Sequence, residues 1–190
     1  MKKKLLKVVL LGKTNAGKSS LINQIVGETV SISNKKINTT NQIIKGLITL
    51  QNVQIILYDT PGLNFFKTEQ GNQKKFKTNV WQCILNTDVI LFLLDSKTIN
   101  LEDLYKNLKK IVNLEKKVFL VFNKIDLVNK DNLLPLIKEI SDNFSIDSFF
   151  NISAKYNLGL DNLLKYLMQF AKNQPWEYDQ NDISNKDDIF

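Results

Sequence analysis

The sequence predicts an α/β fold: a mostly parallel six-stranded sheet with one antiparallel hairpin at its edge and helices on both faces. Three observations carry that expectation. Strand-length apolar runs alternate with longer segments whose apolar residues recur every third or fourth position. Two consecutive runs are separated by only Gln51-Asn52, which leaves room for a hairpin and none for a crossover. The first run leads through a glycine-punctuated turn straight into a helical pattern.

In chain order, Lys7–Leu11 is a continuous apolar run of the kind buried on both faces of a sheet, and Ser19–Val26 follows with helical spacing. Ile43–Leu50 and Val53–Tyr58 form the expected hairpin. Gln73–Leu85 reads as a helix, with Val80, Trp81, Ile84 and Leu85 on one side around the single cysteine, Cys83, which is read as packing. Val89–Leu94 is wholly apolar, Leu101–Leu114 is amphipathic, and Val118–Phe122 is again a buried strand. Asn132–Asn143, Phe149–Ile152 and Leu160–Ala171 complete the alternation as helix, strand and helix.

Length and composition set the frame. At 190 residues and 43% hydrophobic content, one well-cored domain is expected over residues 1–172. Residues 173–190 turn polar and acidic after Pro175 and are expected to be a linker or docking tail. No apolar run approaches the roughly 20 residues that cross a bilayer, and Met1 to Lys4 lead into a strand with no signal-peptide core. One cysteine cannot build a disulfide framework, so a cytoplasmic protein is expected. Lys2–Lys4 give it a weak affinity for the inner membrane surface. All 26 basic residues are lysine; arginine and histidine are absent, and the formal charge is +7. Charge of this kind suits a solvated face as well as it suits RNA.

The chemistry gathers after the strands, where ligands bind in open α/β sheets. Gly12-Lys13-Thr14-Asn15-Ala16-Gly17-Lys18-Ser19 fits the phosphate-loop pattern G-x-x-x-x-G-K-[ST]. Its glycines free the backbone to turn N–H groups, with those of Ser19 and Ser20 on the new helix, toward phosphate oxygens. Lys18 is the candidate holder of the β- and γ-phosphates and Ser19 a candidate magnesium ligand. Asp59-Thr60-Pro61-Gly62 follows the fourth expected element, with Asp59 placed to hold hydrated magnesium and Gly62 to offer an N–H to a terminal phosphate. Asn123-Lys124-Ile125-Asp126 follows Phe122. The two oxygens of Asp126 match the two donors on a guanine edge, Asn123 braces the loops, and Lys124 lies along the ring. After the last strand, Ser153-Ala154-Lys155 places a backbone N–H toward the guanine carbonyl. Alone, Asn123 to Asp126 is an ordinary polar turn; behind a phosphate loop it reads as a base-specificity loop.

With these motifs in this order, the chain resembles the Era family of P-loop GTPases over almost its whole length. Val30 to Lys36 followed by Thr39-Thr40 is similar to the Era first switch, and Asp59 to Leu63 to its second. Leu133-Leu134-Pro135-Leu136, Asn151 to Ala154 and the tail around Tyr178 to Asp182 are similar too. The resemblance implies slow GTP hydrolysis to GDP and phosphate, coupled to assembly of the small ribosomal subunit and its 16S rRNA. It also implies magnesium held by Ser19, Asp59 and the switch threonine, Thr40, with Thr39 as the alternative one residue away. Asn41 and Ala16 depart from residues common in the family. Era proteins bind rRNA through a C-terminal KH domain, which needs more chain than follows Pro175. The sequence is therefore expected to be the GTPase half, trimmed or naturally shortened, and rRNA binding is not expected of these residues.

Leu63 stands where many GTPases place a water-orienting glutamine, and no arginine is present to serve as a finger in cis. The resemblance implies instead a potassium ion, seated in part by Asn15. Two other readings stay open. One is the G domain of an MnmE-type tRNA-modification GTPase, which shares Asn-Ala-Gly-Lys-Ser but lies inside a larger enzyme, unlike a chain starting at Met1. The other is a GTP-binding interaction module that does not hydrolyse its ligand.

Overall fold

The computed structural model describes residues 2–28, 36–38, 44–60 and 80–178. Seven strands form one sheet in the order β2-β3-β4-β1-β5-β6-β7. They are β1 Lys4–Gly12, β2 Lys36–Asn38, β3 Ile44–Leu50, β4 Val53–Asp59, β5 Val89–Asp95, β6 Lys117–Asn123 and β7 Ser148–Asn151. β4, β1, β5, β6 and β7 run parallel, while β3 pairs antiparallel with β4 and β2 with β3. All six expected strands are present, and the hairpin is where Gln51-Asn52 put it. The seventh strand was not expected. Three residues, Lys36-Ile37-Asn38, are too short to show a period of two, and they pair with Gly46 to Ile44 only because β3 offers a free edge.

β1 begins three residues earlier than its apolar core suggests, because Leu5 and Leu6 pair with β4 and are buried despite the lysines around them. Inner residues of β1, β5 and β6 are buried on both faces, which accounts for their unbroken apolar runs. One face is covered by α1 (Lys18–Glu28) and the C-terminal helix α4 (Leu160–Met168). Leu21, Ile22 and Ile25 of α1 and Leu160, Leu163 and Leu167 of α4 pack there against Leu6, Val8 and Leu10. The opposite face is covered by a helical run at 80–85, α2 (Leu101–Val112) and α3 (Leu133–Asn143). Their residues Val80, Ile84, Leu104, Leu108 and Ile140 pack on Val9, Leu11 and Phe92. α2 is capped by Asn100, whose side chain accepts from the Asp103 N–H, with acids in its first turn and lysines in its last.

Beyond α4 the chain returns along the sheet. Lys172 exchanges two backbone hydrogen bonds with Leu5 at 2.9 and 3.0 Å. The fully buried Gln54 accepts from the N–H groups of Glu177 and Tyr178 and donates to the Tyr178 carbonyl at 2.9 Å. Tyr178 packs with Leu5, Leu47, Ile56 and Tyr58. Residues 179–190 lie outside the described residues.

Phe119, fully buried in β6, meets the rings of Phe150, Tyr166 and Phe170 at centroid distances of 5.9, 5.3 and 5.2 Å. Phe119→Ala would empty the centre of that cluster. Urea unfolding should show a loss of about 3–5 kcal/mol.

Candidate nucleotide site

β1 ends at Gly12, and the loop to α1 is shaped by backbone angles that suit few residues. Gly17 has φ +94°, and a Cβ added there would run into Asn123 Nδ2; at Gly12, φ +149°, it would meet the Leu93 carbonyl. Asn15 takes the left-handed conformation at φ +67° with its side chain exposed. Lys18 opens α1 with its ammonium turned back over the loop, donating to the Gly12 and Lys13 carbonyls at 3.2 and 3.0 Å. It is only 7% exposed, and burial lowers its pKa while the Asp59 carboxylate opposes the shift. A buried ammonium satisfied only by carbonyls is poised for an anion.

Asp59, at the carboxyl end of β4, accepts a short hydrogen bond from Ser19. Its other oxygen, Oδ1, is buried with no hydrogen-bond partner. An orphaned carboxylate oxygen beside a serine hydroxyl is the oxygen-rich donor set a magnesium ion takes, so the residues present fit that ion. Thr60 tethers the next turn, donating from Oγ1 to the Leu10 carbonyl at 2.7 Å. Thr39, Thr40, Gly62 and Leu63 lie outside the described residues.

The base-recognition side is held by Asn123, 2% exposed at the end of β6. Its Nδ2 donates to the Ala16 carbonyl at 2.9 Å, and its Oδ1 accepts from the Ala154 N–H at 3.0 Å. One side chain thus joins the phosphate loop to the Ser153 to Lys155 loop. Ser153 is closed against Leu158 by reciprocal backbone bonds of 3.0 and 3.1 Å. The Ala154 N–H is therefore engaged by Asn123 in this structure. Lys124 has φ +63°, and its ammonium lies 2.6 Å from Asp95 Oδ2. Asp126 is exposed and has no hydrogen-bond or ion-pair partner among the described residues. Lys13 extends away from the loop to Asp103, at 2.6 Å. Lys155 is exposed beside Tyr156, with its ammonium 4.8 Å from that ring.

The fold thus brings together Gly12 to Ser20, Asp59, Asn123 to Asp126 and Ser153 to Lys155 at the carboxyl ends of β1, β4, β6 and β7. Sequence reasoning missed Asp95, Thr60 and Asp103. Asp95 closes β5, so the rule that chemistry follows the strands could have found it; Thr60 and Asp103 act through contacts 50 and 90 residues away, which no local pattern reveals.

Removing the Asn123 amide leaves a buried carbonyl and a buried N–H without partners. Asn123→Ala should cost about 1–3 kcal/mol of stability in urea unfolding. Asp126→Ala, at an exposed and unpartnered carboxylate, should stay within about 0.5 kcal/mol in the same measurement.

Comparison with known proteins agrees with this geometry. Residues 7–124 match the family described as 50S ribosome-binding GTPase. GTPase Era of Agrobacterium fabrum is 35% identical over 178 residues, covering 94% of this chain and 56% of that protein. GTPase Era of Rickettsia bellii is 35% identical over 184 residues, covering 96% of this chain and 61% of that protein. The chain therefore spans little more than half the length of these curated relatives. A crystal structure of Era in complex with MgGDPNP and nucleotides 1506-1542 of 16S ribosomal RNA superposes with a TM-score of 0.71 at 31% identity, covering 94% of this chain and 61% of that one. The G domain of the T. maritima FeoB iron transporter, at 24% identity and a TM-score of 0.65, covers 87% of this chain and 98% of that one, and shares the fold. Because residues 7–124 make up more than half of its length, the chain belongs to the 50S ribosome-binding GTPase family, and it is similar to Era.

Proposed function

We propose that this chain is an Era-type switch that binds guanosine nucleotides, hydrolyses GTP to GDP and phosphate, and serves assembly of the small ribosomal subunit. The observation that carries the nucleotide reading is the Asn123 bridge between the phosphate loop and the Ser153 to Lys155 loop, with the Asp126 carboxylate left free beside it. The ribosomal role rests on the similarity to Era. Contact with rRNA is not assigned to these residues.

In this reading Gly12 to Ser20 cradle the phosphates. Lys13, Thr14, Asn15, Ala16 and Gly17 offer backbone N–H groups, and Lys18 exchanges its carbonyl partners for phosphate oxygens. Ser19, Asp59 and Thr40 hold magnesium, which neutralises charge on the β- and γ-oxygens when bound. Gly62 offers its N–H to the γ-phosphate, so loss of that group releases the two switch segments. Asp126 pairs with the guanine N1–H and exocyclic amine, and adenine presents no such donor pair. The Ser153 to Lys155 loop lies toward the guanine carbonyl; with the Ser153 N–H given to Leu158 and the Ala154 N–H to Asn123, the Lys155 backbone N–H is the donor left for it. With Leu63 in the water-orienting position and no arginine in the 190 residues, the charge developing on the phosphates falls to lysine; a potassium ion, if bound, would be held in part by Asn15 and would supply further positive charge. Hydrolysis is slow, on the order of 10⁻⁴ to 10⁻³ per second, as for an unassisted switch GTPase. Slow turnover suits timing more than flux.

Calorimetry with magnesium should detect GDP and GTP uptake by the purified protein and none of ATP. Absence of guanosine nucleotide binding by folded protein overturns the reading. Asp126→Asn should weaken GTP and favour xanthosine triphosphate, whose ring carries a carbonyl in place of the amine; a competition assay reads the reversal. Single-turnover hydrolysis compared in potassium, sodium and lithium chlorides at equal ionic strength should be fastest in potassium. Equal rates would remove the ion from Asn15.

A further inference from the structure

Lys124 is held at both ends. Its backbone takes φ +63°, and the turn after it is closed by the Leu127 N–H to the Lys124 carbonyl at 3.0 Å and the Ile125 N–H to the Ile152 carbonyl at 3.2 Å. Its ammonium lies 2.6 Å from Asp95 Oδ2. Asp95 is itself fixed: Oδ1 accepts from the Lys97 N–H at 3.0 Å, and the following residue, Ser96, donates its N–H to the Asn123 carbonyl at 2.9 Å. The carboxylate is 18% exposed and the ammonium 33%, so the pair is partly desolvated and stronger than an open surface pair.

The anchorage has a consequence for the base site. Lysine carries a compact charge on a flexible four-carbon stem, and an unpaired ammonium turns to the nearest anion. Asp126 stands two residues on, exposed and with no hydrogen bond or ion pair among the described residues, its electrostatic neighbour being the exposed Lys155 ammonium. With Asp95 present, the ammonium is engaged at β5, the stem is drawn out between two fixed ends, and the Asp126 oxygens stay open to a ligand.

We propose that Asp95 is a positioning residue for guanine recognition: it ties the Lys124 ammonium to the end of β5, keeping the lysine stem as a flat apolar platform for the base and the Asp126 carboxylate free for the base edge. The proposal rests on the guanosine-nucleotide reading above. Asp95 touches no phosphate-binding residue through this pair, so its effect falls on binding of the base and leaves the phosphate chemistry alone.

The test is a double-mutant cycle on GDP affinity by calorimetry, with single-turnover hydrolysis at saturating GTP measured alongside. Asp95→Asn should weaken GDP about tenfold, or ~1.4 kcal/mol, with hydrolysis at saturation changed less than about twofold. In a Lys124→Met background the same Asp95→Asn change should cost less than about twofold, because its object is gone. Asp95→Glu keeps the charge and should recover most of the affinity, which a purely structural role would not require. The inference is overturned if folded Asp95→Asn binds GDP within about twofold of the parent, if its cost is the same with and without Lys124, or if hydrolysis falls as far as binding. Should Asp95→Asn fail to fold, Asp95→Glu decides alone: GDP affinity within about threefold of the parent supports the anchor, and a tenfold loss overturns it. If the unmodified chain takes up no GDP, the nucleotide reading is overturned and this inference with it, whereas GDP uptake by the unmodified chain with no loss in Asp95→Asn overturns the inference alone.

Discussion

A single buried amide ties the site together. Asn123 stands at the end of β6, between a loop near the start of the chain and another near its end, and its two polar atoms each satisfy one of them. Buried backbone groups demand partners, and neither the Ala16 carbonyl nor the Ala154 N–H has a strand or helix to supply one. The same contact fixes the identity of residue 17, because any Cβ there would collide with the amide that makes the bridge. Sheet order, loop conformation and side-chain choice therefore converge on one position. In the proposed reading, a phosphate loop braced through Asn123 is set before a ligand arrives, which would lower the ordering cost of binding.

Electrostatics complete what the bridge arranges. Among the described residues, Lys18 is a cation pulled out of water with carbonyls as its hydrogen-bond partners, and Asp59 is a carboxylate with one oxygen unpaired. Each group is undersatisfied by itself, and in the proposed reading a magnesium-bound triphosphate would relieve both together. The lysine-only composition sharpens the contrast with arginine-bearing GTPases. Lysine delivers a point charge with no planar fork, so positioning has to come from elsewhere in the structure. For Lys124 that role falls to Asp95, for Lys13 to Asp103, and for Lys18 to the loop's own backbone.

How much of this was legible depended on the range of the interaction. Strands buried on both faces announce themselves as unbroken apolar runs, and β1, β5 and β6 were readable for that reason. The Gly12 to Ser19 loop and the Asn123 to Asp126 turn were readable as motifs because each is a contiguous run with fixed residue types at fixed spacing, and both lie at the carboxyl ends of their strands. β2 was not readable, since three residues carry no period and its pairing depends on an edge supplied by β3. Boundaries shifted for physical reasons as well. α4 stops at Met168 where the apolar spacing continued to Ala171, because Phe170 and Ala171 pack on the same core outside the helix. Asp95 fell between these cases. It stands just after the predicted strand Val89–Leu94, yet its meaning lies in a lysine 29 residues away.

The last stretch of described chain extends the argument to the opposite end of the sheet. Gln54 is fully buried in β4, and no strand neighbour satisfies its amide; the backbone of Glu177 and Tyr178 does so from both sides. Trp176 adds its indole N–H to the Asn52 carbonyl at 3.2 Å, and Lys3 sits 4.6 Å over its ring. Lys7 and Lys172 reach Glu177 and Asp88 across the same seam. A buried glutamine whose amide is completed only by a distant segment makes that segment part of the folded unit, since lifting it would strand three hydrogen bonds in an apolar setting. β4 then carries a polar anchor at each end: Gln54 toward the tail and Asp59 toward the phosphates, five residues apart along one rigid strand. Tyr58, immediately before Asp59 in the chain, and Tyr178 both pack on the same buried cluster of Leu5, Leu47 and Ile56.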